Sequence, residues 1–204
     1  MTIKVIDNFF DSTILFELKT AIQNEIQDKK CDINYAEQHH APTVKDNDAL
    51  DEQELLLTEK DHFGLTNCKY YLLKNESKKI ILNTLVKKNY VSKEILNDMD
   101  CMLRYHVNKA PYGAKWHLDG LYEKNDSLDY VGITIFLNDT WNPNHGGLFV
   151  YKKNKDDSQG MFVEPIGNRI IINPEDLPHA VTQISDPNIV RYSLQMFINN
   201  KYLI

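Results

Sequence analysis

The hydrophobic positions in the first half of the chain recur with the spacing of α-helices. Behind a possible N-cap at Asp11 or Ser12, apolar residues come three to four positions apart. The members of this run are Leu15, Leu18, Ile22 and Ile26. A second run follows Ser77 and contains Ile81, Leu82, Leu85 and Val86. The two runs predict amphipathic helices, and we expect a short third helix near residues 92–99.

The residues between the two predicted helices show no comparable period. From 36 to 60 the chain is polar, acidic and aperiodic, apart from three leucines at 55–57. A segment of this composition and length is typical of a functional or mobile loop. We therefore expect a variable loop here.

The second half of the chain alternates short apolar runs with clusters of turn-forming residues. Between 131 and 137 the odd-numbered residues are all apolar, which places them on one face of a strand. Comparable runs lie at 101–107, 147–151, 160–164, 169–173, 180–184 and 189–198. This pattern predicts about seven strands, as in an all-β sandwich or barrel.

Length and composition favour a single domain over residues 1–204. Residues 1–101 contain one of the 8 Gly and one of the 7 Pro, so the two halves are built differently. We interpret residues 1–100 as helical support with a variable loop, and residues 101–199 as a β-rich core. The fold class is therefore α+β, mainly β, with the N-terminal helices packed on one sheet.

Charge and cysteine content exclude several classes of protein. The net charge of -6 provides no basic surface for a phosphate backbone, so we do not expect a nucleic-acid partner. No stretch approaches the roughly 18 apolar residues of a membrane helix, and the N-terminus lacks the pattern of an export signal. Cys31, Cys68 and Cys101 are odd in number and far apart, which fits neither a disulfide framework nor a C-x-x-C pair. We expect a cytoplasmic protein with no membrane partner.

Two histidines and one carboxylate form the strongest chemical pattern in the sequence. His117 and Asp119 are two residues apart in a predicted strand, so both side chains should point to one face. His179 opens another predicted strand behind the turn at 173–178 and could reach the same point. Two His and one carboxylate suit non-haem Fe(II), because this ligand set leaves coordination positions open for substrate and O₂.

Arg191 and Ser193 form a second pattern, twelve residues after His179. They share one face of the predicted strand at 189–198. The chain has only three arginines, and an Arg inside an apolar strand indicates a specific anion. A guanidinium pairs a carboxylate through two parallel hydrogen bonds, so we expect a carboxylate ligand here.

Together these residues resemble the 2-oxoglutarate and Fe(II)-dependent oxygenases, whose H-x-D…H…R pattern lies on a double-stranded β-helix, a jelly-roll, cupin-like core. Here the pattern reads His117-x-Asp119, His179 and Arg191, and the resemblance extends over residues 101–199. The opening at residues 5–10 is similar to that of the prolyl 4-hydroxylase-like branch.

The resemblance implies how the cosubstrate would be held. Arg191, with Ser193, would pair the distal carboxylate of 2-oxoglutarate, and Tyr105 would help to hold the same molecule. Tyr105 lies twelve residues before His117, so Tyr112 is an alternative for this role. Collagen-type members usually carry Lys at the anchor, and Arg191 therefore points away from collagen-type enzymes.

The resemblance also implies an activity. The expected enzyme is a dioxygenase that uses Fe(II), 2-oxoglutarate and O₂, with ascorbate as an expected reductant, to hydroxylate a C–H bond with release of succinate and CO₂. Asp119 favours hydroxylation over halogenation, because halogenating relatives replace this carboxylate with a small residue. The expected substrate is a prolyl residue in a protein or peptide. The alternatives are a free amino acid or other small molecule, or a cupin-like module that binds metal and 2-oxoglutarate without turnover.

Overall fold

The computed structural model of the protein describes residues 3–28, 32–35, 68–74, 76–97, 101–117, 130–153, 157–173 and 177–204. For residues 32–35, 68–70, 115 and 117 it describes the backbone alone. These parts of the chain contain two α-helices and eleven strands, which form two antiparallel sheets. The variable loop predicted at 36–60 lies outside the described residues.

The two α-helices confirm the predictions made from apolar spacing. Helix α1 (Ser12–Gln27) begins directly after Asp11, and helix α2 (Glu76–Lys87) begins one residue before Ser77. The buried Glu25 of α1 accepts hydrogen bonds from the Ser77 N–H at 2.8 Å and the Lys74 N–H at 3.1 Å. One helix thus caps the other, since the first N–H groups of a helix have no partner within it.

Two further predictions concern helices. The third helix is a single 3₁₀ turn at Lys93–Leu96, inside the range expected for it. In the part of the chain that the structure describes, neither α-helix is long and apolar enough to cross a membrane.

The larger sheet has seven strands in the order β1-β9-β6-β11-β4-β3-β2. Their bounds are β1 Lys4–Ile6, β2 Asp32–Tyr35, β3 Cys68–Leu73, β4 Met102–Lys109, β6 Tyr130–Phe136, β9 Ile170–Asn173 and β11 Val190–Asn199. The smaller sheet has four strands in the order β5-β10-β7-β8. Their bounds are β5 Ala114–His117, β7 Phe149–Tyr151, β8 Met161–Val163 and β10 His179–Val181.

The two faces of the larger sheet have different neighbours. One face, here called the helix-facing face, packs on α1 and α2 through a large apolar core. This core includes Leu18, Ile81, Leu103, Ile133, Ile135, Leu194 and Met196, each at most 1% exposed. The opposite face, here called the inner face, contributes Phe136 and Ile171 to a second cluster with Phe149, Tyr151 and Val163 of the smaller sheet. The space between the two sheets is therefore bounded by the inner face.

The first half of the chain is less helical than its pattern predicts. Strands β1, β2 and β3 all come from residues 1–100, which were interpreted as helical support with a loop, and all three join the larger sheet. Lys4–Ile6 and Asp32–Tyr35 are too short to show a period of two. They become strands because β9 and β3 offer them backbone hydrogen-bond partners.

Candidate active site

The backbone of the smaller sheet brings His117 and His179 together. Strands β5 and β10 are antiparallel, and their register places His179 directly opposite His117. Residues sixty-two positions apart in sequence thus occupy neighbouring positions at one edge of the cleft between the sheets. The side chain of His117 and the whole of Asp119 lie outside the described residues, so the three-residue metal site stays a prediction. Within the described ranges, no three His, Cys, Asp or Glu side chains are grouped as for a metal ion.

The ring of His179 is held in one orientation and one tautomer. It is 4% exposed, and the Phe149 ring stacks on it at 5.1 Å between centroids. Its Nδ1 lies 2.9 Å from the Leu177 carbonyl oxygen. A carbonyl can only accept, so Nδ1–H is the donor and the lone pair of the neutral ring is on Nε2. This is the arrangement of a histidine that binds a metal through Nε2.

Asn173 supports this orientation of His179 and was not found from the sequence. It is 3% exposed at the end of β9, and its Oδ1 accepts a hydrogen bond from the Leu177 N–H at 3.2 Å. Its Nδ2 donates to the Leu177 carbonyl oxygen at 3.5 Å, so Asn173 contacts both backbone groups of the residue whose carbonyl orients the imidazole. A turn at 173–178 was predicted from the sequence, but the contact between Asn173 and Leu177 was not.

The structure brings Arg191 and Ser193 together on the inner face. Arg191 is 3% exposed and Ser193 is 4% exposed, and Nη1 of Arg191 donates to Ser193 Oγ at 3.2 Å. The guanidinium carbon lies 5.1 Å from the centroid of the Phe136 ring. A buried, forked donor with a hydroxyl beside it can bind a carboxylate through several hydrogen bonds at once.

Gly147 keeps the space next to Arg191 open. Its φ of 65° is left-handed, and a Cβ at this position would lie 3.2 Å from Cδ of Arg191 and 3.1 Å from Cγ1 of Ile184. Any larger residue would be strained and would push against the stem of the arginine. The glycine thus helps to fix the position of the guanidinium.

Two residues of β4 lie opposite this pair. The register of β4 and β11 places Asn108 opposite Arg191 and His106 opposite Ser193. Directly opposite residues point to the same face, so Asn108 and His106 belong to the inner face as well. Asn108 is 1% exposed. Its place beside Arg191 depends on the pairing of β4 with β11, so it could not be identified from the pattern of β4 alone.

Tyr105 lies on the other side of the sheet from Arg191. It is opposite Leu194 in the register, packs on the helix-facing core, and stacks with Tyr192 at 6.2 Å and 6°. Burial raises the pKa of its phenol well above the usual value. Since the larger sheet separates the two side chains, the structure does not support the contact between Tyr105 and 2-oxoglutarate that the resemblance implies.

Tyr112, the alternative, occupies a different environment. It is 6% exposed and packs against Ile184 in a small apolar cluster between β4 and β5. Ile184 also borders Gly147, which adjoins Arg191. Tyr112 is therefore connected to the arginine through two residues, Ile184 and Gly147, whereas Tyr105 is separated from it by the sheet.

The sequence of the β-rich part matches a known family. The family model of the 2OG-Fe(II) oxygenase superfamily matches residues 102–199, the part that contains β4 to β11. Residues 102–199 belong to the 2OG-Fe(II) oxygenase superfamily. The protein is thus an oxygenase, as the sequence predicted, of a family that uses Fe(II), 2-oxoglutarate and O₂. No curated protein sequence matches the chain.

Solved structures confirm the predicted fold of this oxygenase, a mainly-β double-stranded β-helix. A prolyl-4-hydroxylase from Pseudomonas putida has a TM-score of 0.62 at 14% identity, over 97% of this chain and 91% of that one. A prolyl hydroxylase from Trichoplax adhaerens, in complex with a hypoxia inducible factor oxygen degradation domain peptide fragment, has a TM-score of 0.61 at 14% identity, over 98% and 84%. HygX from Streptomyces hygroscopicus, with nickel, 2-oxoglutarate and hygromycin B bound, has a TM-score of 0.55 at 11% identity, over 96% and 82%.

Proposed function

We propose that this oxygenase hydroxylates a prolyl residue in a protein or peptide. The observation that carries the proposal is the similarity in fold to two prolyl hydroxylases, each over at least 97% of this chain. One of these structures contains a peptide fragment, so a protein of this fold can bind a peptide. The arginine anchor agrees with the proposal, because Arg191 points away from collagen-type members of the branch.

His117, Asp119 and His179 would hold Fe(II). The observation that fits His179 to this role is its hydrogen bond to the Leu177 carbonyl, which leaves the lone pair on Nε2. Bound iron with 2-oxoglutarate and O₂ supplies the oxidation that places a hydroxyl group on a carbon, with release of succinate and CO₂.

Arg191 and Ser193 would hold the distal carboxylate of 2-oxoglutarate. The guanidinium is already oriented by Ser193 and by the face of Phe136, so little conformational entropy is lost when the anion binds. Phe136 beside Arg191 and Phe149 beside His179 are at most 5% exposed, so apolar rings border both groups. Exclusion of water strengthens the pairing of guanidinium and carboxylate and limits side reactions.

The substrate is tested by offering two classes of compound to the same preparation. The protein is incubated with Fe(II), 2-oxoglutarate and ascorbate, and with either a library of proline-containing peptides or a panel of free amino acids. We expect peptide products that have gained one oxygen at proline, measured by mass spectrometry, with one succinate per hydroxylation. The His179→Ala variant is the matched control and should give neither product.

Two other outcomes would replace the proposal. HygX shares the fold and was solved with a small molecule, hygromycin B, so hydroxylation of free amino acids without peptide products would support a small-molecule hydroxylase. Binding of Fe(II) and 2-oxoglutarate with no succinate in the presence of any substrate would support a non-catalytic binding module.

A further inference from the structure

Asn108 is a buried amide with no hydrogen-bond partner in the part of the chain that the structure describes. It is 1% exposed, and neither its Nδ2 nor its Oδ1 is hydrogen-bonded to any residue that the structure describes. An unsatisfied buried polar group destabilises the folded state. Most buried polar groups in native proteins are hydrogen-bonded, so an unsatisfied one calls for an explanation such as a functional role or a bound water, ion or ligand. The position of Asn108 in the sheet indicates what this partner is.

Asn108 is directly opposite Arg191 on the inner face. Side chains in directly opposite positions of an antiparallel pair start about 4.5–5.5 Å apart. Ser193 flanks the same guanidinium along β11, where it accepts a hydrogen bond from Nη1. Arg191 is thus bordered by a hydroxyl on its own strand and by a carboxamide on the neighbouring strand. An anion on the guanidinium would lie within reach of both.

The chemistry of the amide suits a carboxylate that already has a positive partner. The Nδ2 group donates hydrogen bonds and carries no charge, so it adds a donor without repelling the guanidinium. A hydrogen bond to a charged group is stronger than one between neutral groups. The amide also remains a donor throughout the physiological pH range.

We propose that Asn108 donates a hydrogen bond from Nδ2 to the distal carboxylate of 2-oxoglutarate, beside Arg191. This inference rests on the proposed function, since it takes 2-oxoglutarate to be the ligand of Arg191. It gives Asn108 the additional contact to 2-oxoglutarate that the resemblance implied for Tyr105. Asn108 is thereby a residue that determines preference for a 2-oxo acid with a second carboxylate.

The test compares two 2-oxo acids on the anaerobic, Fe(II)-loaded protein. Calorimetry measures the dissociation constants of 2-oxoglutarate and of 2-oxobutyrate, which has the metal-binding end but no distal carboxylate. The variants are Asn108→Leu, which keeps the approximate size, and Asn108→Asp, which places a negative charge opposite Arg191. Thr134→Val is the matched control, because it removes a hydroxyl from the inner face at a position opposite Gln195 rather than Arg191.

We expect Asn108→Leu to weaken 2-oxoglutarate binding about 10- to 100-fold, since a hydrogen bond to a charged group is worth about 1.5–3 kcal/mol. Asn108→Asp should weaken it further. Binding of 2-oxobutyrate should stay within about twofold in Asn108→Leu, and Thr134→Val should bind both acids like the wild type. The thermal unfolding temperature of unliganded Asn108→Leu should not fall, because an unpaired amide is removed from a buried site.

Three results would overturn the inference. Wild-type affinity for 2-oxoglutarate in Asn108→Leu would show that the amide does not touch the ligand. An equal loss of affinity for both acids would show that Asn108 acts on the metal end or on the fold. A wild-type protein that binds Fe(II) but not 2-oxoglutarate would refute the proposed function itself, and the inference with it.

Discussion

The helix-facing and inner faces of the larger sheet are built from alternate residues of the same strands, yet they differ in chemistry. On β11, Leu194, Met196 and Ile198 are fully buried in the apolar core that faces the helices. Arg191 and Ser193 are almost as buried on the inner face, and Asn108 lies beside them. Burial of apolar side chains stabilises the fold, whereas burial of polar groups costs free energy unless they are paired. The helix-facing face therefore supplies stability, and the inner face retains polar groups that function requires.

The largest expected effect is on activity, and it comes from removing the side chain of His179. His179→Ala should abolish Fe(II)-dependent turnover, because it removes a predicted metal ligand and no core side chain. The variant should unfold within a few degrees of the wild type. Succinate formation and a thermal unfolding curve on the same preparation check both statements. Retention of full activity would contradict the assignment of His179.

Substitution of Arg191, on the inner face, should weaken ligand binding with little change in the stability of the fold. Arg191→Met keeps a long side chain next to Phe136 and removes the charge, so binding of 2-oxoglutarate should weaken by about 2–5 kcal/mol. The free energy of unfolding without ligand should fall by less than about 1 kcal/mol or should rise, because a buried charge is lost. Arg191→Lys should retain part of the binding. Calorimetry and urea unfolding measure the two quantities; unchanged affinity in Arg191→Met would assign the anchor elsewhere.

Substitution of Leu194 should have the opposite result to substitution of Arg191: it should lower stability and leave ligand binding nearly unchanged. It is fully buried on the helix-facing face, three residues further along β11. Leu194→Ala should lower the free energy of unfolding by about 2–5 kcal/mol, through lost apolar burial and the cavity left behind. At a temperature where the variant is folded, its affinity for 2-oxoglutarate should remain within about threefold of the wild type. If Leu194→Ala lost affinity for 2-oxoglutarate without losing stability, the two faces would not differ in function as described here.

Removal of the ion pair between Asp7 and Arg169 should have the smallest effect on stability, because the pair lies outside both buried faces. Nη2 of Arg169 donates to Asp7 Oδ2 at 3.1 Å, and the guanidinium lowers the pKa of the Asp7 carboxyl. A lowered folded-state pKa means that the pair stabilises above the unfolded pKa of Asp and that this contribution is lost as the pH falls through the folded pKa.

The carboxylate of Asp7 is largely exposed, so Asp7→Asn should cost no more than about 1 kcal/mol at neutral pH. The difference between variant and wild type should shrink toward zero at acidic pH, as measured by urea unfolding across a pH series. A difference that grew as the pH fell would contradict the sign of this argument.

The elements that were predicted correctly are those with a strong local period. The apolar spacing of α1 and α2 and the alternation in β6 and β11 are readable within single windows of sequence. Strands β1, β2 and β3 were missed because they are short or lack alternation, and because their hydrogen-bond partners are distant in sequence. Pairing of this kind is not encoded in a local pattern.

In the candidate site, too, single residues were placed correctly only where a local pattern was sufficient. Arg191 and Ser193 were placed on one face correctly by counting two residues along one strand. Tyr105 was chosen by the resemblance, as a tyrosine upstream of His117, but a change of one position moves a strand residue to the other face. Asn108 is three positions away from Tyr105 and lies on the inner face, a fact that depends on the register between β4 and β11.

The most direct test of the account is a crystal structure of the protein with Mn(II) and 2-oxoglutarate, with the metal located by its anomalous scattering. The account predicts Mn(II) at Nε2 of His179 together with His117 and Asp119, and the distal carboxylate of 2-oxoglutarate on Arg191 at the inner face. A metal bound elsewhere, or 2-oxoglutarate away from Arg191, would contradict the claim that the inner face is the catalytic face of this oxygenase.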